Sequence, residues 1–124
     1  MEFVDLKSQY RAYQSEIDER IRAVLQHGRF ILGPEIEELE TTLARFVGVR
    51  HCITVASGTD ALEIALRALD IGPGDEVITS TMTFTASAEA ICHVGAKPVF
   101  VDIDPKTFCM DPSLIEAAIT PRTK

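Results

Sequence analysis

The sequence predicts an α/β protein with a mainly parallel sheet flanked by helices. In the second half of the chain, short apolar runs alternate with helical patterns, and Gly, Pro and Asp mark the turns between them. Alternation of this kind favours parallel strands joined by right-handed helical crossovers. The runs are nearly all apolar, as expected for strands that are covered on both faces. At 124 residues the chain has the size of one domain.

The first part, residues 1–50, is predicted to be a helical segment. Apolar residues at helical spacing indicate a first helix from Ser8 to Gln26, which Gly28 ends. Gly33-Pro34 opens a second helix, because proline is favoured in a first helical turn, and Gly48 ends that helix. The predicted buried face of the second helix consists of Ile36, Leu39, Leu43 and Phe46.

Residues 51–124 are predicted to form a strand–helix–strand–helix–strand unit followed by one more helix. The expected strands are Cys52–Ala56, Glu76–Thr79 and Pro98–Ile103, and the expected helices are Thr59–Leu69, Thr85–Val94 and Pro112–Ile119. A helical pattern ends shortly before Lys124, where the alternation calls for another strand. Three strands alone leave a thin sheet with open edges, so we expect the chain to be the N-terminal piece of a longer protein.

Composition argues against several classes of function. The formal net charge is −7 and no basic stripe is present, so we expect no nucleic-acid partner. No apolar run approaches the roughly 20 residues that span a bilayer. The acidic N-terminus lacks the positive region of a signal peptide, which makes a cytoplasmic location without membrane contact the default expectation. The cysteines and histidines are scattered, so no metal site is expected, and Cys52 and Cys92 are interpreted as small core residues.

The turn Ser57-Gly58-Thr59-Asp60 lies where a predicted strand ends and a predicted helix begins. The first N–H groups of a helix lack intrahelical acceptors and carry a partial positive charge, so such a turn can bind a phosphate. Gly58 would let an anion approach the backbone closely, and Thr59 adds a hydroxyl donor. The alternative is purely structural: Ser57 caps the helix, Gly58 makes the turn, and Asp60 is favoured in a first helical turn.

Several segments in a fixed order resemble the sugar aminotransferases of the DegT/DnrJ/StrS type, which are pyridoxal-phosphate enzymes of fold type I. The resemblance covers essentially the whole chain, and the finer likeness is to enzymes that aminate the 3-keto position of UDP-linked N-acetyl sugar acids. The segments are Phe3-Val4-Asp5-Leu6-Lys7, Gly28-Arg29-Phe30-Ile31-Leu32-Gly33-Pro34-Glu35, Ser57-Gly58-Thr59-Asp60-Ala61-Leu62, Gly72-Pro73-Gly74-Asp75-Glu76-Val77-Ile78-Thr79, Thr83-Phe84-Thr85-Ala86-Ser87, Gly95-Ala96-Lys97-Pro98-Val99, Val101-Asp102-Ile103-Asp104 and Ala118-Ile119-Thr120-Pro121-Arg122-Thr123-Lys124.

This resemblance implies the N-terminal part of a fold type I aminotransferase large domain and pyridoxal 5'-phosphate as the cofactor. It implies that Gly58, Thr59 and Asp60 bind the cofactor phosphate and that the ring of Phe84 stacks on the cofactor pyridine. The interpretation of Phe84 without the resemblance is an ordinary core residue at a helix start. The implied partners are a nucleotide-sugar substrate, an amino-acid donor, with glutamate expected, and a second subunit in a homodimer. The apolar segment within Arg29–Gly33 would then be buried against that subunit, although burial within the same chain is the equal alternative.

No catalytic residue is expected among these 124 residues. The resemblance places the lysine that forms the Schiff base, and the aspartate beside the pyridine nitrogen, after Lys124. The lysines that are present, Lys7, Lys97, Lys106 and Lys124, do not match the position of that lysine. The predicted function is therefore a sugar aminotransferase of polysaccharide biosynthesis, for which this chain alone is inactive. The alternatives are a sugar dehydratase of the same family, with histidine in place of the lysine, a non-catalytic phosphate-binding domain, and a structural dimerisation module.

Overall fold

The computed structural model describes residues 3–124 of the chain. Five helices and two strands follow one another in these residues as α1 (Leu6–His27), α2 (Pro34–Val47), α3 (Gly58–Ala68), β1 (Glu76–Ser80), α4 (Ala86–His93), β2 (Lys97–Val101) and α5 (Pro112–Ala118). Every predicted helix is present, with ends within two residues of the predicted ones. The chain divides into two compact units, one that ends at Thr54 and one that runs from Val55 to Lys124.

The first unit contains α1 and α2, and both helices end at the predicted glycines. The carboxylate of Asp5 accepts from the Ser8 N–H at 2.9 Å and so caps the start of α1. Gly28 and Gly48 end the two helices in the left-handed region, at φ of 65° and 79°. Arg20 of α1 donates two hydrogen bonds of 2.7 Å to the carboxylate of Glu38 of α2. This pair is exposed, so its contribution to stability is small.

The apolar face predicted to be buried on α2 is not buried in this unit. Ala44 is the buried residue of α2, whereas Leu39 and Leu43 are exposed and Phe46 is 86% exposed. Ile36 is half-buried. An amphipathic pattern shows which face of a helix is apolar, but not which element covers that face. Within the described residues of this unit, no element covers it.

The second unit is built on the two parallel strands β1 and β2, which α4 connects. The register runs from Glu76 opposite Lys97 to Ser80 opposite Val101. On the other side of β1, Glu76 forms a parallel bridge with Thr123, so a third backbone segment lies beside the sheet. The predicted α/β class with parallel strands is therefore confirmed. Its apolar core consists of Ile71, Ile91, Val94 and Ala96, with Leu66 and Val77 packed against it.

The predicted strand Cys52–Ala56 is not a strand in the structure. A strand needs a neighbouring backbone for its hydrogen bonds, and among residues 3–124 this segment has none. Instead, the N–H and the hydroxyl of Thr54 both donate to the Glu40 carboxylate, at 2.8 Å and 2.9 Å. The core assignment of two cysteines also fails, since Cys52 is half-buried and Cys92 is exposed.

Candidate functional site

The start of α3 has the geometry of a side-chain-capped helix. Ser57 is extended, with φ −156° and ψ 167°, and its Oγ accepts from the Asp60 N–H at 3.1 Å. The Ser57 carbonyl accepts from the Ala61 N–H at 3.1 Å. The predicted helix start near Thr59 and the predicted capping role of Ser57 are both confirmed.

Two donors of this first turn are unused. In the described part of the chain, neither the Gly58 N–H nor the Thr59 N–H donates a hydrogen bond. The Asp60 N–H, in contrast, is already bound to Ser57. Of the three residues that the resemblance assigns to the phosphate, Gly58 and Thr59 therefore have a free N–H, whereas the N–H of Asp60 is taken. The sequence offers Ser57 as the cap, but it does not show which N–H the cap binds, because that depends on the rotamer of Ser57.

The chain itself does not require glycine at position 58. Its φ lies outside the left-handed region that favours glycine, and a Cβ added there would meet no atom within 4 Å. The turn is therefore not the reason for this glycine, contrary to the structural alternative. What the missing Cβ leaves is open space directly beside the two unused N–H donors, which is the arrangement that an anion-binding backbone needs.

Asp60 and Thr59 are half-buried on the first turn of α3. A carboxylate beside a bound phosphate would be repelled unless it paired with a donor or pointed away. The Asp60 carboxylate has no hydrogen-bonding partner among residues 3–124. A carboxylate in a first helical turn is stabilised by the helix dipole whether or not a ligand is present.

Phe84 lies in the loop Thr81–Thr85, between the end of β1 and the start of α4. Its side chain is 79% exposed, so it is not a core residue of the described part of the chain. An exposed aromatic ring at the carboxyl edge of a parallel sheet stands where open α/β sheets bind their ligands. No described hydrogen bond joins Phe84 to the turn Ser57–Asp60.

An apolar cavity lies between α3, α4 and β1. Its volume is about 280 Å³. Leu62, one turn after Gly58, lines this cavity together with Thr79 at the end of β1 and Ser87 in the first turn of α4. Neither the turn Ser57–Asp60 nor the loop Thr81–Thr85 contributes a lining residue to this cavity.

The opposite, amino edge of the sheet holds a buried carboxylate. Glu76 is 2% exposed, and its Oε1 lies 3.1 Å from Lys97 Nζ and 2.7 Å from Arg122 Nη2. The Thr120 hydroxyl donates to its other oxygen at 2.6 Å. The hydrogen bond from Thr120, followed by those from Lys97 and Arg122, lowers the pKa of Glu76 to about 2. Lys97 is therefore engaged in an ion pair at the edge remote from the loop that carries Phe84.

The apolar segment Phe30–Leu32 is exposed, so nothing among residues 3–124 buries it. All three side chains are more than two-thirds exposed. Leu32 has φ of 48°, in the left-handed region that leucine rarely adopts. The Nε2 of His27 lies 2.9 Å from a Glu35 oxygen, and this contact links the end of α1 with the start of α2.

Neither a membrane-spanning helix nor a metal-binding group is found in the part of the chain that the structure describes. Each described helix is too short or too polar to cross a bilayer. Histidine, cysteine and acidic side chains nowhere gather in threes at metal-binding distance within residues 3–124.

The fold and the turn at α3 define a parallel α/β crossover unit with an open helix start. Residues 11–124 match the DegT/DnrJ/EryC1/StrS aminotransferase family, and the chain belongs to this family. It is 58% identical, over all of its 124 residues, to the UDP-2-acetamido-2-deoxy-3-oxo-D-glucuronate aminotransferase of Pseudomonas aeruginosa. The chain covers 34% of that relative, so it spans about a third of the length of the proteins that it matches.

Solved structures agree with this membership. The S. venezuelae protein DesV has 46% sequence identity and a TM-score of 0.97, over 99% of this chain and 33% of DesV. The protein Spr1654 of Streptococcus pneumoniae, solved in its PLP-form, has 47% identity and a TM-score of 0.85, over 90% of this chain and 28% of Spr1654. The predicted fold, that of the fold type I aminotransferases, is thereby confirmed.

Proposed function

We propose that this chain is the N-terminal, phosphate-binding part of a pyridoxal-phosphate-dependent aminotransferase that acts on a nucleotide-linked 3-keto sugar. The observation that carries the proposal is the 58% identity, along the entire chain, to the UDP-linked 3-oxo sugar aminotransferase of P. aeruginosa. Glutamate is the proposed amino donor. We place the protein in the cytoplasm and assign it to polysaccharide biosynthesis.

The residues present fit the proposed cofactor. Pyridoxal phosphate has a phosphate and a flat ring, and when bound it supplies the electron sink that lets an amino group pass from donor to acceptor. The unused N–H groups of Gly58 and Thr59 are suited to the phosphate oxygens, and the open space beside Gly58 permits close approach. The exposed ring of Phe84 is suited to the flat face of the pyridine.

These residues bind and orient, but they do not carry out the chemistry. The N-terminus of α3 holds negative charge through its partial positive charge and its oriented donors. The proposed role of Asp60 is to add its backbone to this first turn while its carboxylate faces away from the phosphate. Phe84 would exclude water from one face of the ring. The proposed cofactor lysine and the acid beside the pyridine nitrogen lie outside residues 1–124.

A homodimer is part of the proposal. Phe30, Ile31 and Leu32 form a contiguous exposed apolar segment, and such a patch on a soluble protein marks an interaction surface. We propose that the second subunit covers it.

The test is an amino-transfer assay on the intact protein. With pyridoxal phosphate, glutamate and a UDP-linked 2-acetamido-2-deoxy-3-oxo sugar acid, we expect one 2-oxoglutarate and one UDP-linked 3-amino sugar per turnover, detected by mass spectrometry. The matched control is the same sugar with a hydroxyl at position 3, which cannot accept the amino group. Cofactor binding without transfer to any nucleotide-linked keto sugar would favour the non-catalytic phosphate-binding domain.

A second experiment separates the aminotransferase from the dehydratase of the same family. Borohydride reduction of the intact protein with bound pyridoxal phosphate, followed by peptide mapping, should label one lysine outside residues 1–124. Labelling of no lysine, together with loss of water from the sugar, would instead identify the dehydratase. A stoichiometric label on Lys7, Lys97, Lys106 or Lys124 would show that the proposed layout is wrong.

A further inference from the structure

A polar link joins the two strands beyond the carboxyl edge of the sheet. The last register pair is Ser80 opposite Val101. One residue further, the Thr81 N–H donates to the Val101 carbonyl at 3.0 Å, and the Thr81 hydroxyl donates to Asp102 Oδ1 at 3.1 Å. The hydrogen-bonded ladder thus continues through a side chain into the first residue of the loop that carries Phe84.

Further hydrogen bonds, from residues of its own loop, hold Asp102 in place. Its Oδ1 also accepts from the Ile103 N–H at 2.8 Å, and its carbonyl accepts from the Asp111 N–H at 3.0 Å. An antiparallel bridge between Ile103 and Met110 closes the loop that follows. Asp102 therefore offers Thr81 an acceptor in a defined place.

The position of the Phe84 ring depends on this loop, because the ring has little packing of its own. Its side chain is 79% exposed. At the far end of the loop, the hydroxyls of Thr83 and Ser87 lie 2.9 Å apart, and the Ser87 N–H donates to the Phe84 carbonyl at 3.0 Å. The loop is thus fastened to β2 at Thr81 and to α4 at Ser87, with the aromatic ring between the two attachments.

We propose that Thr81 and Asp102 are positioning residues that hold the loop Thr81–Thr85 so that Phe84 meets a flat ligand in a fixed orientation. The inference rests on the proposed function, since it takes Phe84 as the residue that stacks on the cofactor ring. The physical reason is preorganisation: a ring whose backbone is ordered before binding loses less conformational freedom when the ligand arrives.

The test is a double-mutant cycle on the dissociation constant of pyridoxal phosphate in the intact protein, followed by absorbance. Thr81→Val removes the hydroxyl donor and keeps the branched shape, and it should weaken binding about two- to tenfold, the range of one hydrogen bond. Thr81→Ser keeps the donor and should restore binding. In a Phe84→Ala background, Thr81→Val should cause no further loss, because the ring through which it acts is gone. Asp102→Ala removes the acceptor of the same hydrogen bond and can be combined with Phe84→Ala in the same way. It replaces Thr81→Val if that variant does not fold.

The outcomes separate this inference from the proposed function. If Phe84→Ala weakens binding but Thr81→Val does not, or if Thr81→Val weakens binding equally with and without the ring, then the positioning role is wrong and the stacking role stands. If Phe84→Ala leaves binding unchanged, the stacking role fails and the positioning role fails with it. Urea unfolding of each variant distinguishes a loss of orientation from a loss of fold, and a loss of affinity that only follows lowered stability overturns the inference.

Discussion

At the scale of single residues, Gly58 gives the sharpest test because folding and binding place opposite demands on it. Its backbone conformation is open to any residue, and an added methyl group would meet no atom of the chain within 4 Å. In a helix, alanine is more favourable than glycine by up to about 1 kcal/mol. No atom of the described chain uses the open space there.

We therefore expect Gly58→Ala to keep or raise the unfolding free energy of the intact protein while it weakens pyridoxal-phosphate binding, and Gly58→Val to weaken binding further. Affinity can be measured by absorbance titration and stability by urea unfolding. Pyridoxal without its phosphate is the matched control, and its affinity should be unchanged. Unaltered affinity for pyridoxal phosphate in both variants would remove the backbone of α3 from the proposed phosphate site.

Phe84 is a second residue that the described part of the chain does not use for packing, because its side chain is 79% exposed. Phe84→Ala should weaken retention of pyridoxal phosphate by roughly 1–3 kcal/mol, the magnitude of aromatic stacking on nucleic-acid bases. Phe84→Tyr keeps the ring and should keep the affinity. Met82→Ala, on the same loop and 58% exposed, is the matched control and should have no effect. Equal losses for Met82→Ala and Phe84→Ala would indicate a disturbed loop rather than a stacked ring.

At the scale of elements, the start of α3 is fixed by its cap. None of its residues is fully buried, and Leu66 packs against the core of the second unit. The Ser57 hydroxyl accepts from the Asp60 N–H, and this hydrogen bond joins two residues that are close along the chain. It therefore forms whether or not another element covers the apolar face of α3. Local chemistry therefore determines where α3 begins.

Ser57→Ala should lower the unfolding free energy by about 0.5–2 kcal/mol, the usual effect of removing an N-cap. Urea unfolding of the intact protein measures this change. Ser57→Thr retains the capping oxygen and should lose much less. If threonine is as harmful as alanine, the loss comes from another property of Ser57.

At the scale of the molecule, Glu76 joins three parts of the second unit. It begins β1, pairs with Lys97 at the start of β2, and binds Thr120 and Arg122 near the end of the chain. A buried carboxylate is tolerated only when it is paired, and here three partners keep it ionised. The same residue thus ties the amino edge of the sheet together.

This arrangement predicts acid sensitivity with a definite window. The pKa of Glu76 falls from 4.5 to about 2 on folding, so its contribution is fully present above pH 4.5 and is lost as the pH falls toward 2. In the intact protein, Glu76→Gln should lower the urea midpoint at pH 7 and flatten the dependence of stability on pH between 4.5 and 2. Glu116→Gln, at an exposed position on α5, is the control and should change neither. A Glu76→Gln protein that keeps the full acid dependence would show that another group is responsible.

Local signals in the sequence are sufficient to locate the helices and turns of this protein. Glycine, proline and capping side chains act within a few residues, so the roles of Gly28, Gly33-Pro34, Gly48 and Ser57 follow from their immediate neighbours along the chain. The parallel pairing of β1 with β2 follows from the alternation of strands and helices. Membership of the aminotransferase family also follows from the sequence, through the order of its motifs.

Tertiary structure decided what each apolar face and each polar group meets. Only the fold shows that Phe46 and Phe84 are exposed, that Cys52–Ala56 finds no strand beside it among residues 3–124, and that Glu76 collects its partners from positions up to 46 residues away. The physical reason is that burial and ion pairing depend on segments distant along the chain, whereas caps and turns depend on neighbours. For the same reason, the sequence could nominate Gly58 and Phe84 for the site, but the link between Thr81 and Asp102 became visible only when β1 and β2 lay side by side.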